Sequence, residues 1–254
     1  MRLPRLQLIE FEDLPGCPSL LRAFAMDYLN FMESRLRLHR AIVPLLAEVF
    51  RRSGMRQAVD LCSGGGGPVA EVIQGLREQG LAIEFVLTDK FPGLKFGTRP
   101  HHGELYCQQS IDATAVPASL KGVRTMFNAF HHFPPKAARA VLEDAVRTRQ
   151  PIAIFEISER SLAMFAAVFL TPLYVCAITP WLRPFSWLRL LLTYVAPAIP
   201  FLCWFDGMVS QCRAYTIDEL VGLAEGLSDF EWKSARVRLD APIGHLTYLI
   251  GVPR

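Results

Sequence analysis

The sequence predicts an α/β fold, a mostly parallel sheet covered by helices on both faces. Three observations carry this. Short apolar segments alternate with amphipathic ones across residues 55–160, as buried parallel strands joined by helical crossovers do. The first apolar segment ends at Asp60 and runs into four consecutive glycines, Gly64–Gly67, before a helical pattern resumes. The length of 254 residues, 51% apolar and 20% charged, suits one large domain or one domain with an insertion.

Residues 1–17 read as irregular, with Pro4, Pro15 and Gly16. A helix follows from Ser19, where Leu20, Leu21, Phe24, Tyr28, Phe31 and Met32 recur at three- and four-residue steps. A second helix spans Leu38–Arg52 and stops at Gly54. Strands are expected at Gln57–Cys62, Ile83–Thr88, Cys107–Ile111, Arg124–Phe127 and Pro151–Ile157. Helices are expected at Pro68–Glu78 and Pro134–Arg149. Near the end, Thr216 reads as the N-cap of a helix Ile217–Leu227, with Glu219 at the capping-box position. Strands Glu231–Leu239 and Leu246–Val252 close the chain. The chain thus divides into an N-terminal helical cap (1–54), a core (55–160 and 206–254) and an apolar helical insertion (161–205).

Composition excludes some functions. A net charge of +3 gives no support for nucleic-acid binding. The six cysteines form no CxxC pair, so no metal site is expected, and free thiols fit a reducing cytoplasmic setting. Arg2 and Arg5 are followed by Glu10, Glu12 and Asp13 before any apolar core, unlike a signal peptide.

The glycine loop carries the functional reading. Glycine lets backbone approach a ligand, and a helix start offers unpaired N–H groups, so the loop suits a nucleotide or nucleoside. It fits the dinucleotide fingerprint poorly, because Val69 stands where the third glycine belongs. Asp60, Gly64 and Gly66 fit the pattern acidic-x-G-x-G-x-G, with Cys62 replacing the first glycine. Asp89 ends the second strand, and Asp112 follows the third in Ser110-Ile111-Asp112-Ala113-Thr114. Residues 55–160 and 213–252 therefore resemble the class I S-adenosylmethionine-dependent methyltransferase family. The segment Arg213–Leu220 also resembles the R-x-Y-T-x-E-E-L helix start of small-molecule methyltransferases. The resemblance implies a Rossmann-like seven-stranded sheet with an antiparallel last strand, and S-adenosylmethionine as cofactor. It places the methionine end at Asp60, Cys62, Gly64 and Gly66, the ribose at Asp89 and the adenine at Asp112. Asn128, at the end of the fourth strand, joins the cofactor-binding set.

Strand ends of such a sheet face the ligand crevice. The fourth leads into Asn128-Ala129-Phe130-His131-His132-Phe133-Pro134-Pro135. Either His131 or His132 can serve as base or orienter, or cap the following helix. The N/D-P-P-Y/F spacing of amino-methylating enzymes is absent, which disfavours DNA-base methylation. Glu156 and Glu159 either line the pocket or mark the chain's exit to solvent. Arg213 either holds an acidic substrate group or forms a surface salt bridge.

The insertion bears on the acceptor. Ser161–Leu182 contains no charge, and Arg189 alone interrupts the stretch Pro184–Phe205. Three readings stand: a cap over an apolar substrate, a monotopic or re-entrant membrane contact, or a homodimer interface. Both stretches reach spanning length, but Pro172, Pro180, Pro184, Pro197 and Pro200 interrupt them. Trp181, Trp187, Tyr194 and Trp204, with Arg183 and Arg189, suit an interfacial belt, and a two-helix hairpin is the expected form. The expectation is methyl transfer to an apolar or lipid-like acceptor by a cytoplasmic protein peripheral to the inner face of a membrane. The alternative is a non-catalytic cofactor-binding or membrane-scaffold protein.

Overall fold

Alternation along the strands gives the sheet two apolar faces, and each face carries its own core. The computed structural model describes residues 3–14, 16–92, 104–240 and 244–254. Arg2 and Pro15 lie outside them. The described strands are β1 (Gln57–Asp60), β2 (Glu84–Asp89), β3 (Glu104–Ser110), β4 (Val123–Phe127), β5 (Ile152–Glu156), β6 (Phe230–Arg238) and β7 (His245–Pro253). They form one sheet in the order β3-β2-β1-β4-β5-β7-β6. The first five pair in parallel, and β7 runs antiparallel to both β5 and β6. β1 and β4 are neighbours, and the chain winds outward from them in opposite directions. That switch point opens a crevice at the strand ends.

The helices of the core are α3 (Val69–Glu78), α4 (Pro135–Arg147) and α9 (Ile217–Ala224), preceded by α1 (Ser19–Arg35) and α2 (Leu38–Ser53). Ala58, Ala153 and Phe155 join α2 and α3 on one face. Val59, Ile152, Ile154 and Leu249 join α4 and α9 on the other. This is the period-two consequence of strand geometry. Thr216 and Glu219 form the expected capping box of α9. β3 begins at Glu104, ahead of its expected start, because its side chains, Leu105 and Tyr106 included, are mostly exposed at the sheet edge, where hydrophobic alternation leaves no signal.

The insertion departs from the expected hairpin. It comprises four helices, α5 (Leu162–Phe169), α6 (Thr171–Ile178), α7 (Trp187–Tyr194) and α8 (Ala198–Arg213). Leu162–Phe169 and Thr171–Trp181 meet at 43°, and α7 and α8 meet at 69°. Pro172 lies in the first turn of α6 and Pro197 directly precedes α8, so proline ends each expected long helix. Among the described residues, no single helix is long and apolar enough to cross a membrane. α8 continues past residue 205 to Arg213, because its later turns remain helical while burying Asp206, Gln211 and Arg213. Phe24 and Tyr28 of α1 pack with Val175 and Ile199 from the insertion. An ion pair from the buried Arg189 to the half-buried Asp27 ties α7 to α1. The N-terminal helix and the insertion together roof the strand ends.

Candidate active site

The glycine loop is shaped from below by a buried carboxylate. Asp60 accepts from Ser63 Oγ at 2.5 Å and from Thr125 Oγ1 at 2.7 Å. It thereby joins β1, the loop and β4. Burial pushes its carboxyl up to about 7, against the opposing hydrogen bonds from Ser63 and Thr125. Asp60 thus shapes the loop from beneath, outside the lining of the cavity above it. Cys62 adopts φ 57° and Gly66 φ 92°. The second value is one that side-chain-bearing residues rarely take, so glycine is required there. The loop is held from the far side by Asp89, which accepts from Gly64 N–H at 3.0 Å and Phe91 N–H at 2.9 Å.

Above the loop lies a cavity of about 360 Å3. Cys62, Gly64, Asp89 and Asn128 line it, together with Glu33 of α1 and Tyr106 of β3. Gly66 supports the turn, and Gly67 stands at the wall in its place. Asp112 stands apart from this lining. It accepts from Thr114 N–H and Oγ1 and pairs with Lys90 at 3.3 Å. Thr114, then burial against it, then Lys90 set its carboxyl, on balance below the usual range.

Asn128 sits at the hinge of the site. It adopts φ 54°, a left-handed conformation asparagine tolerates. Its amide donates to Glu33 Oε1 at 3.1 Å and accepts from Ile157 N–H at 3.1 Å. Glu33 is buried, and that burial pushes its carboxyl up to about 7 despite the Asn128 hydrogen bond. A Cβ on Gly67 would lie 3.3 Å from Glu33 Oε2, so the loop passes directly beside this carboxyl.

A second cavity, of about 460 Å3, adjoins the first. Asn128, His132, Glu12 and Leu29 line both. Its walls include Tyr28, Met32, Met164, Val168 and Tyr174, from α1 and the insertion. One end is polar, formed by Glu10, Glu12, Asp206, His131 and His132. His131 Nδ1 lies 2.6 Å from Glu156 Oε2, whose other oxygen accepts from Phe130 N–H at 2.6 Å. His132 Nδ1 lies 3.1 Å from Asp13 Oδ1. Burial lowers the pKa of His132, but Asp13 and Glu10 together raise it on balance. Burial also works against the charge of Asp13, yet His132 and Arg213 hold its carboxyl below the usual range. Glu12 is pushed up to about 8 by burial and then by Asp206 and Glu10.

Arg213 is buried, not a surface residue. It binds Asp13 at 2.7 Å, Glu10 at 3.2 Å and the carbonyl of His132 at 3.0 Å. It positions the polar end of the cavity. The structure therefore brings His131, His132, Glu156 and Arg213 together, and Asn128 with Asp89 and the loop.

The N-terminal segment contributes residues that carry no motif pointing to this site. Arg5 donates to the carbonyls of Arg213, His131 and Phe133. That anchor lays Glu10, Glu12 and Asp13 across the site. Their acidic run before α1 was the available signal, but acidic runs are usually solvated.

The sheet order, the antiparallel β7 and the glycine loop after β1 define the class I methyltransferase fold. No family model matches the chain, and no curated protein matches it in sequence. Among solved structures it is similar to the plantazolicin methyltransferase BpumL in complex with SAH, at 10% identity and a TM-score of 0.53. That alignment covers 93% of this chain and 96% of the other. The same enzyme with a monoazolic desmethylPZN analog and SAH aligns at 11% identity, with the same coverage and a TM-score of 0.53.

Proposed function

We propose that the protein transfers a methyl group from S-adenosylmethionine to an apolar small molecule or lipid-like acceptor. One observation carries the reading: a glycine-walled cavity and an apolar cavity meet at Asn128 and His132. The first has what a nucleoside with an amino-acid tail needs. Its glycine wall admits close backbone approach, Asp89 can accept from ribose hydroxyls, and the buried Glu33 carboxyl suits an ammonium group. The bound cofactor supplies an electrophilic methyl on a sulfonium. The protein supplies orientation and proton handling. The apolar walls from α1 and the insertion exclude water around the acceptor. His132, shared by both cavities and backed by Asp13, is placed to take a proton from an acceptor hydroxyl or thiol.

Titration calorimetry with S-adenosylmethionine tests the cofactor assignment directly, and absence of binding would sink it. Asp89→Ala removes a charged acceptor for the loop and for the ribose. Each such hydrogen bond contributes about 1.5–3 kcal/mol, so affinity should fall roughly 10–100-fold. An unchanged Kd would refute the ribose role.

The acceptor class rests on the insertion. Residues 161–205 contain no acidic residue, and they leave Phe169, Leu173, Trp181, Phe185 and Trp187 exposed. Tyr174, exposed on the outside, also lines the apolar cavity, which joins that surface to the acceptor site. We assign this face to a bilayer surface, from which an apolar acceptor enters beneath the roof. Trp181 and Trp187 are 71% and 76% exposed, so their removal leaves the fold intact. The double variant Trp181→Ala/Trp187→Ala should lose most co-sedimentation with phosphatidylglycerol-containing vesicles. Equal sedimentation of variant and wild type would count against the bilayer contact.

A further inference from the structure

We infer that Glu10, His131 and His132 form a binding site for a divalent transition-metal ion of the zinc type. One ligand atom from each lies within 4.8 Å of the others. His131 Nε2 stands 4.0 Å from Glu10 Oε1, and His132 Nε2 stands 3.5 Å from Glu10 Oε2. Ligands around a tetrahedral zinc ion at ordinary bond lengths are roughly 3.4 Å apart, so a modest contraction closes the set.

The stronger argument is how the imidazoles are held. His131 turns Nδ1 toward Glu156 and His132 turns Nδ1 toward Asp13. A carboxylate on Nδ1 takes the N–H there and leaves Nε2 as a lone pair, the arrangement that orients metal-binding histidines. Both Nε2 atoms point to the same carboxylate. His131 is 3% exposed, and its Nε2 has no hydrogen-bond partner among the described residues. A buried nitrogen without a partner is costly, and a metal ion would satisfy it. Charge agrees. Glu10, Glu12, Asp13, Glu156 and Asp206 gather at this end of the cavity, where Arg213 pairs with Glu10 and Asp13. Arg213 and Ser210 engage Glu10 Oε1, at 3.2 and 2.8 Å, and Oε2, which faces His132 Nε2, is the oxygen left for the ion.

Two histidines and one carboxylate leave coordination positions free, and these face the apolar cavity that Glu10, His131 and His132 line. The ion site stands without the methyl-transfer reading. Its use rests on that reading: with the ion bound His132 would serve as a ligand in place of a base, and an oxygen of the acceptor would fill a free position and become more acidic there.

The test uses the full chain stripped with EDTA. Zn2+ is titrated by calorimetry, and Co2+ is followed by its visible absorption bands. One ion per chain is expected, with Zn2+ displacing Co2+. Glu10→Gln and His132→Gln should each weaken binding at least as much as Glu156→Gln, which acts only through His131 and should lose about 10–100-fold. His132 is partly exposed, so its variant keeps the measurement available if a buried substitution prevents folding. Wild type that binds no Zn2+, or His132→Gln that binds it as tightly as wild type, overturns the inference. Calorimetry with S-adenosylmethionine on the same metal-free protein reports separately on the methyl-transfer reading.

Discussion

Glu33→Gln should make the protein more stable and its cofactor binding weaker. The stability sign follows from the carboxyl, which shifts from an ordinary 4.5 to about 7 on folding. Below pH 4.5 the group is protonated in both states and contributes nothing. As pH rises toward 7 the unfolded state ionises while the folded state resists, so stability falls. Above 7 the full penalty is present, about 3 kcal/mol for this shift. Glutamine removes the penalty and can still accept from Asn128. Urea unfolding at pH 8 should therefore show a stabilised variant, and at pH 4 an unchanged one.

Cofactor affinity should move the other way. The ammonium of S-adenosylmethionine needs an ionised partner, so wild-type affinity should rise roughly tenfold per unit between pH 5 and 6.5. Losing one partner of a buried charge pair costs about 2–5 kcal/mol, so Glu33→Gln should bind at least ~30-fold more weakly at pH 7.5, with no pH dependence over that range. A purely structural Glu33 would show the stability change alone.

Asp144→Ala should produce the largest loss of stability. Arg124 of β4 and Asp144 of α4 form a buried ion pair at 2.6 Å, and Asp144 also accepts from Val116 N–H. Removing the carboxylate leaves a buried guanidinium whose remaining hydrogen-bond partner among the described residues is Thr148. Breaking such a pair costs about 3–5 kcal/mol. For a chain of this size that lowers Tm by on the order of 10 °C. Arg124→Met/Asp144→Leu leaves no orphaned charge and should recover much of the loss. A single variant within ~1 kcal/mol of wild type would show that the charge finds water. Cofactor affinity should hold in every variant that folds, because neither residue lines either cavity of the site.

The core was legible because its signals are local. Asp60 before the glycines, the apolar centres of β1 and β5, and Thr216 three residues before Glu219 each announce an element within a short window. β3 was only half visible, since an exposed edge strand has no buried face to pattern. The expected hairpin of the insertion became four helices, because hydropathy counts length while proline decides continuity. Asp112 shows a different limit: an aspartate after a strand suits a ligand and suits its own turn, and here Thr114 and Lys90 engage it. Glu33 and Glu10 were hidden altogether. Glu33 lies in a helix whose pattern reads as ordinary packing, and Glu10 in a segment with no pattern. Their roles arise only when distant parts of the chain meet.

That distance has a consequence for how the protein is made. Glu10 leaves the ribosome some two hundred positions ahead of its partners Ser210 and Arg213. Contacts of such separation close late, after the local elements have formed. The sheet from β1 to β5 can assemble while synthesis continues, but the polar end of the acceptor cavity cannot. A nascent or truncated chain that ends before α8 is complete holds the glycine loop yet lacks the enclosure beside it. Any chemistry at this site is thereby withheld until α8 has been made.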